Sequence, residues 1–497
     1  MTRTTFLGLD IGTSSIKALL VNQQQGVVAE ASVPVSISRP HPLWSEQDPE
    51  EWWQACLTAI AQVKHAAPEG FLALHSIGLS GQQHGAVFLD ADGRVLRPAI
   101  LWNDGRCGRE AEELQNSVPD FVARASNLAM VGFTAPKVLW VRRHEPEVFK
   151  KTRKILLPKD YIRYRLSGAY VTEMSDAGGT LWHDIAGRKW DDTLLSAGGI
   201  DRSYVADLVE GSAESARLSD ALSTEWGLAK GSVVIAGGAG DNAAAAVGIG
   251  AVKAGEGLLS MGTSGVLFAV TDRLVTKPER VLNAMCHALP NRWHVMGVTL
   301  SAASALTWFA DMLGKGDHIA ELITEVEAFA SDPVQRANAP IFVPYLSGER
   351  TPHNDPEANG IFAGLRAQHD HVAMAYAVME GVAFCFADDF DVLAASGADL
   401  KSCFLVGGGA RSQFWGQMLS DVIQFNLELP AGAETGAALG AARLGMLAAG
   451  VASEAEICFK PAVRLRYHPN ADEKAFYKPR LDRFRALYAA EHHLRSV

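Results

Sequence analysis

No stretch of the sequence approaches the roughly 18 consecutive apolar residues that a membrane-spanning helix needs. The opening MTRTTFLGLDIGTSS has only a short apolar stretch, broken by Asp10, and does not read as a secretory signal. Cysteine is scarce. Cys56, Cys107, Cys286, Cys385, Cys403 and Cys458 are scattered with no CxxC pair, which argues against a disulfide framework or a structural zinc site. Free thiols in a reducing compartment follow, and a cytoplasmic protein is expected by elimination. Positive charge is also short: 45 Lys and Arg stand against 56 Asp and Glu, a net −11. Phosphate backbones attract basic surfaces, so nucleic acid is not the main partner expected, whereas a small anion can still be held by local donors. No low-complexity linker interrupts the 497 residues. That length is too great for one ordinary core and predicts two large domains.

What is present is an internal echo. LGLDIGTSSIKALLV (7–21) and GLLSMGTSGVLFAV (257–270) both read as apolar strand, Gly-Thr-Ser turn, apolar strand. Aliphatic and β-branched residues favour strands, and Gly with small hydroxyl residues favours tight turns. The echo predicts two halves of one architecture with a cleft between them. An N-terminal domain is expected over 1–245, a C-terminal domain over 246–450, and a charged helical tail packed on the body over 451–497. Residues 75–90 read as strand, loop, strand, and 157–168 as a helix ending on Gly168. Residues 369–397 read as a long helix, 403–423 as strand, glycine turn and helix, and 436–450 as a small-residue helix fit for close packing.

Several residues in these turns can carry chemistry. In DIGTSSIK the glycine turn exposes backbone N–H groups, Thr13 and Ser14 add hydroxyls, and Lys17 adds positive charge, a concavity suited to phosphate oxygens. Asp10, at the strand end, can orient water around Mg²⁺, which is usually bound through few carboxylates and several waters. GxxxxGK[ST] is absent, so this is not a Walker loop, and a purely structural hairpin is the alternative. The second loop keeps Gly262, Thr263 and Ser264 but has Ser260 where the first has Asp10. Gly407-Gly408-Gly409-Ala410 follows the strand CFLV, where glycine either admits a ligand close to the backbone or only makes a turn. Asp241, followed by Asn242, joins a strand-glycine segment to an alanine-rich helix; it reads as a general base or as a helix cap. Gln82-Gln83-His84 and Trp102-Asn103-Asp104-Gly105-Arg106 each follow an apolar strand and offer convergent polar groups beside a Trp, which suits polyol recognition. A lone histidine such as His84 is more often structural.

These motifs, in this order, resemble the FGGY carbohydrate kinases of the actin and hexokinase superfamily, over residues 5–485. GFTAPKVLWVRRHEP (132–146), with Thr134, Lys137 and Trp140, and GIFAGLRAQHDHVAMAYAVMEGV (360–382) look like the two family signatures. The first loop, the GTS loop, the GGGA turn and GAALGAA look like its phosphate 1, phosphate 2, adenosine and connect 2 motifs. HPLWSEQDPEEWW (41–53), RPAILWNDGR (97–106), LLPKDYIRYRLSG (156–168) and PYLSGERTPHNDP (344–356) look like the branch that phosphorylates D-xylulose, and GDNAAAAVGIG is similar to its catalytic segment rather than to the GDQ form of glycerol kinases.

The resemblance implies an α/β fold of two actin-like ATPase (RNase H-like) domains around a central cleft, with ATP, Mg²⁺ and the sugar D-xylulose as ligands and a homodimer left open. It implies Asp241 as the base, ionised at neutral pH if it keeps its reference pKa of about 3.9. Gln83, His84, Trp102, Asp104 and Asn242 are placed at the sugar. Asp10, Thr13, Ser14, Lys17, Gly262, Thr263 and Ser264 are placed at the phosphates, with Asp10 reaching the metal through water, and Gly409, Ala410 and Gln413 at the adenosine. One departure stands out: that branch carries Gln-Met-His where this chain has Gln82-Gln83-His84, so a carboxamide replaces a thioether and bears on which hydroxyl arrangement is favoured. A kinase for another ketose or polyol is the nearest rival reading. An actin- or chaperone-like ATPase is the second, but it does not call for Gln83-His84, Trp102–Arg106 and Asp241.

Overall fold

The computed structural model describes residues 4–432 and 436–495. Thr5–Ile11 (β1) and Ser15–Asn22 (β2) form an antiparallel hairpin around Gly12-Thr13-Ser14, and Val27–Pro34 (β3) continues it antiparallel. On the other side of β1, Leu74–Gly81 (β4) runs parallel to it. Glu214–Arg217 (β5) lies at the far edge, antiparallel to Val234–Ala236 (β6), which pairs parallel with β4. The order is β5-β6-β4-β1-β2-β3. β1 is buried on both faces, so it reads as a nearly unbroken apolar run, as a central strand covered on both sides does. Pro49–Ala66 (α1), capped by Asp48, lays Trp52, Cys56 and Ile60 against one face. Pro158–Ser167 (α2) ends on Gly168, whose φ of +81° is the left-handed stop expected there. Asp241–Ile249 (α3) leaves the end of the sheet.

The second half repeats this plan. Glu256–Met261 (β7) and Gly265–Thr271 (β8) form the matching hairpin. Asn283–Cys286 (β9) and Trp293–Thr299 (β10) extend it on the β8 side. Ala303–Met312 (α4) and the long His371–Ala395 (α5), capped by Asp370, pack on this sheet. On the β7 side come Ser402–Val406 (β11), parallel to β7, then Leu427–Pro430 (β12), parallel to β11. Val463–Tyr467 (β13) closes the edge antiparallel to β12. Read from β10 to β13, the pairings run antiparallel, antiparallel, parallel, parallel, antiparallel, the same series as from β3 to β5. The echo between the two Gly-Thr-Ser turns is thus the visible part of a strand-for-strand repetition.

Gln413–Ile423 (α6) follows the glycine turn after β11. Gly436–Ala448 (α7) does not stay with the second sheet. It returns to cover β1 and β4 and packs along α3. The contact is backbone on backbone: a Cβ on Gly8 would run into the Ala438 carbonyl, and one on Gly440 into that of Ala244. The tail departs from the all-helical expectation by contributing β13 before the long helix Ala471–Arg495 (α8). Among the described residues no helix is long and apolar enough to cross a membrane.

Candidate active site

The carboxyl ends of β1 and β4 and the two-residue strand Ala239–Gly240 lie in one register row: Asp10 pairs with Ser80, and Ser80 with Ala239. Strand ends of this kind are where open α/β sheets take ligands. The Ser80 hydroxyl donates to Asp10 Oδ1 at 2.9 Å, and Lys17 stands opposite Asp10 across the hairpin. Burial raises the Asp10 carboxyl above its ordinary value, against the pull of Ser80 and Lys17. Lys17 also lies 3.5 Å from Glu30.

Asp241 opens α3 without capping it. Gly240 holds the cap position and makes no side-chain cap, and among the described residues the Asp241 carboxylate accepts only from its neighbour Asn242, at 2.7 Å from the backbone N–H and 2.9 Å from Nδ2. Burial first, then the charge of Asp10, push Asp241 up to about 7. An ionised Asp241 with its reference pKa is therefore corrected: its proton affinity sits at neutrality because the site is poorly solvated and already holds a carboxylate. The loop that delivers it is tied from behind, since the Gly240 N–H donates to Ser175 Oγ at 3.2 Å and Arg163 donates to the Gly237 carbonyl.

Beside this pair, the loop after β4 is nearly closed to solvent. Gln83 and His84 are only 6% and 7% exposed, so both point inward. The Gln83 carboxamide packs on Gly240 and donates to Met285 Sδ at 3.6 Å. His84 has a left-handed backbone (φ +68°), and its Nδ1 lies 3.0 Å from the Gly179 carbonyl. Burial, then Lys137, hold its pKa down to about 3, so the ring is neutral; with Nδ1–H donating to Gly179, Nε2 is left as an acceptor. Lys137 and Thr134 of the first signature donate to the His84 carbonyl at 2.9 and 3.1 Å and fix the strained turn. That role for Lys137 was not read from the sequence; the signal was a lysine inside an otherwise apolar helical segment.

Trp102 and Thr13 belong to one network. Trp102 Nε1 donates to Thr13 Oγ1 at 3.0 Å, and Thr13 Oγ1 donates to Gln82 Oε1 at 3.1 Å. The Thr13 hydroxyl is therefore engaged, and what the first loop offers an anion is the N–H of Thr13 and of Ser14, which have no partner among the described residues. Asp104 is corrected. Its side chain is fully buried and accepts from Ser45 N–H at 2.6 Å and from Arg106 Nη2 at 2.6 Å, while Arg106 stacks on Trp44 at 3.6 Å. Both oxygens are spent on the ion pair, so Asp104 shapes the loop and does not face the sugar side.

The second loop is held by its carbonyls. Gly262 and Thr263 C=O accept from Ala303 and Ala302 N–H at 2.9 and 3.0 Å at the start of α4. The Thr263 and Ser264 N–H groups have no partner among the described residues. An open cavity of about 930 Å³ runs from Gly262 and Thr263 along Ser304, Thr307 and Trp308 to Gly408. Gly407 has φ +95°, and nothing lies within 4 Å of a Cβ placed on Gly408. Gly409 borders the turn, packed on the Met261 side chain, and Gln413, the first residue of α6, is exposed. Ala410 is 4% exposed and turned into the core. Its side chain supports the turn, which leaves its backbone as the part that can face a nucleotide.

The model of the FGGY family of carbohydrate kinases, N-terminal domain, matches residues 5–248, and that of the C-terminal domain matches 257–449. The chain belongs to the FGGY carbohydrate kinases. Its similarity to a xylulose kinase of Escherichia coli K12 is 46% identity over 486 residues, covering 97% of this chain and 98% of that protein. To a xylulose kinase of Bacillus subtilis it is 35% over 488 residues, 97% of this chain and 96% of the other. A crystal structure described as a xyloylose kinase from Brucella ovis superimposes with a TM-score of 0.93 at 46% identity, covering 99% of this chain and 100% of that one. The family and the two-domain actin-like fold expected from the motifs are both met, and the reading as an actin- or chaperone-like ATPase is set aside. This FGGY enzyme is a kinase acting on an alcohol group of a carbohydrate.

Proposed function

We propose that the protein transfers the γ-phosphoryl group of ATP to the 5-hydroxyl of D-xylulose, giving D-xylulose 5-phosphate and ADP, in the cytoplasm and in xylose catabolism. The observation that carries the reading is Asp241. Among the described residues its carboxylate is bonded only to its own neighbour, and the Gln83-His84 loop and the first Gly-Thr-Ser loop leave the sheet at the same strand ends, with the second Gly-Thr-Ser loop facing them in this reading. The name shared by relatives nearly half identical over the full chain supports the choice of sugar. Six buried, unpaired cysteines fit a reducing compartment.

In this reading the 5-hydroxyl oxygen attacks the γ-phosphorus while its proton passes to an Asp241 carboxylate oxygen, and the bond to the β–γ bridging oxygen breaks as ADP leaves. Base assistance of this kind is typically worth about 10²–10⁴-fold. Positioning supplies much of the rest. His84, held neutral, accepts from a sugar hydroxyl through Nε2, with Trp102 and Asn242 bordering the same space. Thr13, Ser14, Thr263 and Ser264 present N–H groups to phosphate oxygens, Gly12 and Gly262 make the turns, and Lys17 adds charge. Gly409 and Gln413 border the adenosine.

The residues fit Mg²⁺. Two poorly solvated carboxyls with raised pKa values, Asp10 and Asp241, are relieved by a nearby dication. Asp10 would hold it through water, and Mg²⁺ supplies charge neutralisation on the phosphates when bound.

A coupled assay over D-xylulose, D-ribulose, L-ribulose, xylitol and glycerol tests the substrate. D-Xylulose should give the highest kcat/KM. A different acceptor that outperforms it by about tenfold, equal to 1.4 kcal/mol of transition-state discrimination, would replace it. Gln83 is the one feature that favours another ketose, because a donor and acceptor stand where the branch has a thioether.

A further inference from the structure

Arg350 lies in the connection between the paired strands Ile341–Val343 and Ile361–Ala363 of the second half. The base of that connection is held on several sides. Glu349 and Asp355 exchange backbone hydrogen bonds of 2.8 Å. The Glu349 carboxyl accepts from Thr299 Oγ1 at 2.6 Å, from Leu300 N–H at 2.9 Å and from the Arg350 N–H at 2.7 Å. Thr351 exchanges two 3.0 Å bonds with Val298 of β10. From outside, α8 clamps the loop: Arg495 pairs with Asp355 at 2.5 Å, Tyr488 donates to it at 3.1 Å, and the Tyr488 ring stacks on His353 at 3.7 Å.

The guanidinium that this frame presents feels the favourable charge of the neighbouring Glu349 but is not bonded to it. Among the described residues it makes no hydrogen bond or ion pair, and burial lowers its pKa from the ordinary arginine value. A half-buried guanidinium that borders an open cavity with no hydrogen-bond acceptor of its own points to an acceptor met in another state of the molecule. The acceptor is close by. Nη2 reaches across to the first half and lies 3.4 Å from where a Cβ on Gly132 would stand, and the Trp102 carbonyl oxygen lies 2.8 Å from the same point. That carbonyl also accepts no hydrogen bond among the described residues. Only the missing side chain of Gly132 leaves the space between an idle donor and an idle acceptor. Beside them a cavity of about 380 Å³, walled by Ala111, Met130, Leu300, Asn354 and Pro356, gives the halves room to approach.

We propose that Arg350 is a positioning residue that couples the two halves: on closure its guanidinium donates to the Trp102 carbonyl across Gly132, so that sugar held by the first half and nucleotide held by the second strengthen each other's binding. Trp102 is the right residue to seize. Its indole N–H holds Thr13 of the first phosphate loop, and Thr13 holds Gln82 next to the inward-facing Gln83 and His84. One contact from the second half therefore stiffens the sugar loop and the phosphate loop together. The field of Arg350 also reaches His84 and Lys137, lowering both. The proposal rests on the sugar kinase reading above.

The test is the dissociation constant of D-xylulose with and without a non-hydrolysable ATP analogue, in the full-length wild type, Arg350→Met, Arg350→Lys and Gly132→Ala. The wild type should bind sugar about 5-fold or more tighter with the analogue present, the lower end of usual coupling. The ratio should fall to about 1 in Arg350→Met, with sugar affinity without the analogue within about twofold of wild type, and also in Gly132→Ala, whose methyl group stands 2.8 Å from the Trp102 carbonyl and so shifts that loop as it fills the gap. Arg350→Lys should recover part of the ratio, an effect that a merely structural role would not give. If Arg350→Met does not fold, the Gly132→Ala and Arg350→Lys ratios decide. A wild-type ratio retained in these variants, or an equal loss of sugar affinity with and without the analogue, would overturn the coupling. A wild type that ignores D-xylulose but phosphorylates another sugar refutes only the substrate, and the coupling is then measured with that sugar.

Discussion

The charge on Asp10 raises the proton affinity of Asp241 at the floor of the cleft. The two carboxyls are held differently: Asp10 is pinned by Ser80 and faced by Lys17, while among the described residues Asp241 is bonded only to Asn242. As a base, Asp241 must be ionised. Its pKa is pushed up to about 7 before a dication is bound and is brought down when Mg²⁺ joins the site, so kcat/KM for the sugar should be flat above neutrality and fall toward acid pH. Asp10→Asn removes the like charge and should move that acidic limb to lower pH. The pH profile of the residual activity checks this, and an unmoved limb would leave burial alone as the cause.

The same raised pKa has an opposite sign for stability. The folded state binds more protons at Asp241 than the unfolded chain, whose carboxyl has the ordinary value of 3.8, so stability contributed at low pH is lost as pH rises through about 7. Asp241→Asn should therefore melt higher than wild type at pH 8, with the gain vanishing near pH 4, while phosphoryl transfer drops about 10²–10⁴-fold. Nucleotide binding, tested by titration with an ATP analogue, should persist.

Asp104 gives a contrasting outcome. Removing the charge leaves Arg106 buried, only 1% of its side chain exposed and without its main counter-ion. Breaking a buried pair of this kind costs about 3–5 kcal/mol. Asp104→Asn should lower the denaturation midpoint markedly, with KM for the sugar nearly unchanged in the folded fraction. A large rise in that KM with unaltered stability would return Asp104 to the sugar site.

Gln83→Met tests the departure from the branch pattern. The carboxamide is enclosed between Gly240 and Met285, and its sulfur contact at 3.6 Å is weak. If the amide also bonds a sugar hydroxyl, its loss is worth about 0.5–1.5 kcal/mol, or roughly 2- to 12-fold in relative kcat/KM among D-xylulose, D-ribulose and L-ribulose. KM for ATP should hold. Equal ratios in both proteins would confine Gln83 to packing.

Much of this site could be read from local pattern, and the limits have physical causes. Aliphatic runs around Gly12-Thr13-Ser14 and Gly262-Thr263-Ser264 encode hairpins whose turns need no distant help. Asp241 was recognisable because a strand, glycines and an alanine-rich helix bracket it. Spacing does not reveal desolvation or competition for a side chain. The Asp104–Arg106 pair is completed by Ser45 and Glu46, far away in sequence. The Thr13 hydroxyl is claimed by Trp102 and Gln82 from two other loops. Ala410 faces inward because the turn before α6 rolls it toward the core. The strand in the tail was hidden by the charged residues that alternate along it, as suits an edge with one face in water.

The return of α7 to the first sheet bears on how the chain is made. Phe6, Leu19 and Val21 are synthesised first and β6 is finished at Ala236, yet their cover begins at Gly436. At a translation rate of roughly 5–20 residues per second, this face waits on the order of 10 s for its partner. Over that interval the nascent first half has α3 but not α7 against this apolar surface. The smallest length of chain able to complete its own first sheet is therefore nearly the whole protein, and an N-terminal fragment ending after α3 should be recovered as aggregate or bound to a chaperone.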